Sequence, residues 1–67
     1  MSLAETFGKN VRRVRKERDL SQEELAHKVR LAVTYVGQLE RGIRNPTLKV
    51  VEDLAKALKV KPLDLLQ

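Results

Sequence analysis

Sixty-seven residues hold one modest core, near the lower size at which a single core is stable unaided, and the absence of cysteine excludes a disulfide or thiolate-metal framework. Fourteen Lys and Arg against nine Asp and Glu give a formal net charge of +5, which favours an anionic partner without naming it. No charged flank precedes an apolar run at the N-terminus, and no stretch approaches the ~20 apolar residues that span a bilayer, so a single cytoplasmic domain over residues 1–67 is expected.

Residues 1–20 hold six bases, Lys9, Arg12, Arg13, Arg15, Lys16 and Arg18, against three acids. For any one of them the solvated face of a helix is the simpler reading. Leu3, Phe7, Val11 and Val14 recur at spacings of three and four, the stripe of an amphipathic first helix running to about Arg18. Ser21-Gln22-Glu23-Glu24 fits a capping box, with Leu20 and Leu25 at the spacing of a hydrophobic staple, so a second helix starts at Ser21 and turns Leu25, Ala26 and Val29 inward. A third helix is expected from about Ala32 to Glu40, with Val36 and Leu39 inward, Leu31 and Val36 at staple spacing, and Gly42 placed for a left-handed C-terminal cap.

Asn45-Pro46 breaks the chain, and Thr47 caps a fourth helix carrying Leu48, Val51, Leu54, Ala55 and Leu58. Lys61-Pro62 stops that helix and opens a last short turn with Leu63, Leu65 and Leu66. Strand alternation, repeats and low-complexity tracts are absent. The expected fold is all-α, five short helices, in which the second and third are joined tightly enough through Arg30 to Ala32 to form a helix-turn-helix.

The run from Ser21 to Ala26, then Leu39-Glu40-Arg41-Gly42 and Arg44-Asn45-Pro46-Thr47-Leu48, resembles the Cro/C1-type (XRE) helix-turn-helix regulators. Val11-Arg12-Arg13-Val14-Arg15, Leu54-Ala55-Lys56-Ala57-Leu58 and Leu63-Asp64-Leu65-Leu66 extend the likeness over nearly the whole chain. The resemblance implies a compact lambda-repressor-like domain that binds double-stranded DNA as a repressor or other transcriptional regulator, with the third helix in the major groove. Carried over by position, it places Ala32, Val33, Thr34 and Gln38 against base edges and Gln22 at a phosphate beside a helix N-terminus. Tyr35, Arg41, Arg44 and Asn45 become candidate phosphate contacts. Two of these keep a plainer reading, Tyr35 as a half-buried ring and Asn45 as the start of the turn before Pro46. The resemblance also pairs Arg15 with Glu40, either as a partly buried bidentate bridge or as an exposed ion pair.

The chain departs from the family pattern at Arg30, where glycine is usual in the turn, and at Ala32, where serine usually caps the recognition helix. Each change is expected to cost about 1 kcal/mol unless the turn avoids positive φ or Arg30 takes on a compensating contact. Thr34-Tyr35-Val36-Gly37 and Glu40 to Asn45 resemble the controller proteins of restriction-modification systems, although those tend to carry charged residues where this chain has Ala32 and Val33.

No enzyme, catalytic residue, metal or cofactor is expected, since there is one histidine and no glycine-rich phosphate loop. His27 lies off the apolar stripe, and the adjacent acids Glu23-Glu24 and Glu52-Asp53 diverge by about 100° on a helix. The competing function is an antitoxin-like or adaptor module that binds protein with DNA binding weak or lost. The resemblance further implies a homodimer on a two-fold symmetric operator, with recognition helices about 34 Å apart. Leu63, Leu65 and Leu66 are candidates either for the dimer contact or for closing the monomer's own core.

Overall fold

Helix starts in this chain coincide with side chains that hold backbone amides left unpaired by the helix, and the third helix is the exception. The computed structural model describes residues 1–67 as five helices with no strand: α1 (Leu3–Glu17), α2 (Gln22–Val29), α3 (Val33–Glu40), α4 (Leu48–Leu58) and α5 (Pro62–Leu66). The Ser2 hydroxyl accepts from the Glu5 amide and the Glu5 carboxylate from the Ser2 amide, and Ser21 and Glu24 repeat the exchange at α2. Thr47 accepts from the Val50 amide, and at α5 the Asp64 carboxylate accepts from the Lys61 amide behind Pro62. Ala32 at α3 offers no such bond.

The helices enclose one cluster of twelve buried apolar residues: Phe7, Val11 and Val14 of α1, Leu25 and Ala26 of α2, Val36 and Leu39 of α3, Val51, Leu54, Ala55 and Leu58 of α4, and Leu65 of α5. Two residues of the expected stripes are not in it. Leu3 is 62% exposed and Leu48 81% exposed, because each is the first residue of its helix, on the rim of a shallow cleft with no further element packed over it. The terminal leucines also divide: Leu65 is fully buried and closes the core, Leu66 is half-buried, and Leu63 points outward. Leu65 is therefore a core residue and not available to a partner subunit.

α1 meets α3 through Gly8, where a Cβ would collide with the Leu39 carbonyl oxygen and lie 2.8 Å from that of Glu40. Only glycine lets the helices approach that closely. Side chains of α1 and of Arg18 just after it also hold the far end of the fold. The Asn10 amide donates to the carbonyls of Leu65 and Gln67 at 3.0 Å, and the Arg18 Nε to that of Leu58 at 3.0 Å.

Besides Asp19 (φ 56°) just after α1, two helices end on non-glycine residues in the left-handed region, α2 at Arg30 (φ 58°) and α4 at Lys59 (φ 60°). Thus the turn of the motif does adopt the strained conformation. In each case the next amide reaches back to a helix carbonyl, Leu31 to Ala26 at 2.9 Å and Val60 to Ala55 at 3.0 Å. Leu31 and Val60 then pack on the core, and this Schellman closure with its apolar contact offsets the backbone cost. α4 consequently stops at Leu58, before Pro62, which serves instead as the first residue of α5. Gly42 takes φ 76° after α3, the position its spacing indicated.

Candidate nucleic-acid interface

α3 is two-faced. Val36 and Leu39 turn into the core, while Val33, Gly37 and Arg41, spaced by four, lie on the opposite side next to Thr34 and Gln38. Ala32, Val33, Thr34 and Arg41 are exposed and Gln38 is half-buried. This outward face has a methyl, an isopropyl, a hydroxyl and a carboxamide, groups of kinds able to contact base edges.

What fixes its position is a polar latch at the end of α3. Arg15 Nε donates to Glu40 Oε2 at 2.6 Å and Arg15 Nη2 to Glu40 Oε1 at 3.0 Å, a bidentate pair with side chains only 10% and 2% exposed. The Arg15 Nη1 donates to the Leu20 carbonyl at 2.9 Å, and Gln22 Nε2 donates to Glu40 Oε1 at 3.0 Å. One carboxylate thus joins α1, α2 and α3. Hydrogen bonds to Glu40 hold the Arg15 guanidinium above its ordinary pKa, with burial opposing them, so the guanidinium stays charged. No buried side-chain polar atom lacks a partner.

Gln22 is partly committed to this latch. The remaining proton of its amide nitrogen and the backbone amides at the start of α2 are what it can offer a phosphate. Nearby, Ser21 lowers the pKa of Glu24 by backbone and then side-chain hydrogen bonding, which keeps the cap ionised.

A second grouping forms at the other edge of the face. The Arg44 guanidinium lies 5.3 Å from the centroid of the Tyr35 ring, and its Nη1 donates to Gln38 Oε1 at 3.3 Å. Tyr35 is half-buried, so the ring packs against the core while supporting the cation. With its carbonyl oxygen engaged, Gln38 presents its N–H groups outward. Asn45 is not part of this grouping. It is exposed and lines the apolar cleft beside Pro46, with Leu3, Phe7 and Leu66.

One residue at the interface was not distinguished by sequence reasoning. Arg12 is one turn before Arg15 on α1 and lines, with Gln22, Val33, Thr34, Gly37 and Arg41, an open cleft of about 510 Å³ over the latch. Its sequence signals were its place in the Val11–Arg15 segment and a spacing of three from Arg15, which Arg18 shares.

The helix-turn-helix family HTH_3 matches residues 11–65. The chain belongs to this family. This helix-turn-helix protein is 46% identical over 61 residues to the control protein C.BamHI of Bacillus amyloliquefaciens, spanning 90% of this chain and 75% of that one. Its fold is similar to the crystal structure of the restriction-modification controller C.AhdI of Aeromonas hydrophila, with a TM-score of 0.88, 42% identity, and coverage of 92% and 94%. It is also similar to the controller C.Esp1396I, solved as a tetramer in complex with its natural 35 base-pair operator, with a TM-score of 0.85, 32% identity, and coverage of 97% and 86%.

Proposed function

We propose that this helix-turn-helix protein is a transcriptional regulator that binds a specific double-stranded DNA operator, as the controller C.Esp1396I does. The observation that carries this reading is the outward face of α3, held in place by the Arg15–Glu40–Gln22 latch and bearing Val33, Thr34 and Gln38. Its likeness to C.Esp1396I, a controller solved on its operator, supports the same role.

In this reading α3 enters the major groove. Ala32 and Val33 make apolar contacts with thymine methyls, Thr34 reaches a base edge, and Gln38 donates to a base acceptor while Arg44 occupies its oxygen. Gln22, Tyr35, Arg41 and Arg44 face phosphates and set register without reading sequence, whereas Asn45 lies in the apolar cleft and starts the turn before Pro46. The role is one of binding, in the cytoplasm, with no chemical step assigned to the chain.

Two copies bind a two-fold symmetric site with recognition helices about 34 Å apart. The apolar surface for the partner subunit comes from Leu63 and Leu66, and Leu66 shares its cleft with the exposed Leu3 and Leu48. Selecting duplexes from a random pool at fixed salt tests the reading. The expected product is a palindromic sequence in which each changed base pair costs about 1–3 kcal/mol. Recovery of no preferred sequence sinks it.

A further inference from the structure

The three glycines answer to different demands. Gly8 is needed because a Cβ there would strike the carbonyls of Leu39 and Glu40. Gly42 is needed because its φ is 76° and a Cβ would lie 2.8 Å from Glu5 Cγ. Gly37 meets no such demand: it lies inside α3, and a Cβ would meet only the Gln22 carboxamide, at an ordinary 3.8 Å. A glycine within a helix is less stable than alanine, so the fold by itself favours alanine at this position.

The space beside Gly37 is the open cleft of about 510 Å³. Its floor is the Arg15–Glu40–Gln22 latch, whose charges compensate one another. Its sides have Arg12 from α1 and Arg41 from the end of α3, and neither cation is in an ion pair. Two unpaired cations over a neutral floor, with the helix stripped to its backbone between them, favour a compact anion that must come close to α3.

We propose that Gly37 is a clearance through which one DNA phosphate settles between Arg12 and Arg41, making Arg12 a binding residue. The inference rests on the DNA-binding reading above. It adds that α3 is notched as well as aimed, and that α1 contributes directly to the grip.

The test compares the wild-type chain with Gly37→Ala, Arg12→Gln and Arg13→Gln, using a selected operator and a random-sequence duplex over a range of salt. Arg13 is on α1 outside the cleft, paired with Glu17. Gly37→Ala is expected to melt at or above the wild-type temperature yet bind both duplexes about tenfold more weakly. Arg12→Gln is expected to weaken both and reduce the slope of log K against log salt by about one, with a smaller change for Arg13→Gln.

Wild-type affinity in Gly37→Ala, or a salt slope in Arg12→Gln no different from that of Arg13→Gln, overturns the proposal. If the wild type binds all duplexes alike, operator specificity fails, but the same variant losses on the random duplex still uphold the seat. If it binds no duplex at low salt, both fall.

Discussion

α2 and α3 are the two halves of one motif, each eight residues long, and they are held by different means. α2 has a reciprocal cap from Ser21 and Glu24, acids in its first turn, and His27 and Lys28 in its last. α3 has no side-chain cap, no acid in its first turn and no base in its last. Its place comes from elsewhere: Val36 and Leu39 in the core, α1 pressed against its end at Gly8, and the Glu40 latch. A helix whose outer face serves recognition can thus forgo local helix signals when tertiary contacts fix it. Helices this short gain most of their stability from packing in any case.

The support of α3 is most vulnerable at Glu40. Glu40→Gln leaves the buried Arg15 guanidinium facing a neutral amide, and a urea melt is expected to show a loss of about 3 kcal/mol. Unchanged stability and DNA affinity would mean that the latch does not hold α3. Ser21→Ala attacks the other half, where loss of the cap is expected to cost about 1 kcal/mol and to speed amide exchange in the first turn of α2. Ala32→Ser gives α3 the cap it lacks. A gain of about 0.5 kcal/mol is expected, together with an altered operator preference because this residue lies on the outward face.

Acid acts on the two helix starts unequally, with a smaller effect than any of these substitutions. Hydrogen bonds from Ser21 depress the pKa of Glu24 in the folded chain, so its contribution is present above the ordinary carboxylate range and is lost as pH falls through the depressed value. α3 has no carboxylate in its first turn to lose. Carbon chemical shifts followed during an acid titration are expected to show the start of α2 fraying before that of α3; simultaneous fraying would count against the difference.

Much of the scaffold was legible because its signals are local. Ser21, Glu24 and Thr47 mark helix starts within four residues of sequence, and the buried positions of α1 and α4 follow helical spacing. Periodicity identifies a face but not how far the core extends along it, so Leu3 and Leu48 were drawn inward although they overhang an end. In the five residues of α5, spacing cannot separate the buried Leu65 from the exposed Leu63. Lys59 gave no sign of a left-handed cap, since neither glycine nor asparagine stands there.

The candidate interface was legible in a different way. Arg15 and Glu40 are 25 residues apart, and the family resemblance, not any local pattern, brought them together. Arg12 was one base among six until the fold set it beside Gly37. The need for Gly8 arises from the Leu39 carbonyl on another helix, which no reading of its neighbours supplies.

The bonds from Asn10 to the carbonyls of Leu65 and Gln67 span 55 and 57 residues, nearly the full chain. During synthesis, the niche beneath the first helix is therefore completed by residues that follow the recognition helix out of the ribosome. Closing so long a loop is entropically costly, and the support of the two motif helices draws on residues far from them in sequence. A ribosome stalled before Leu65 would present a chain with every residue of the reading face and an unfinished support beneath it.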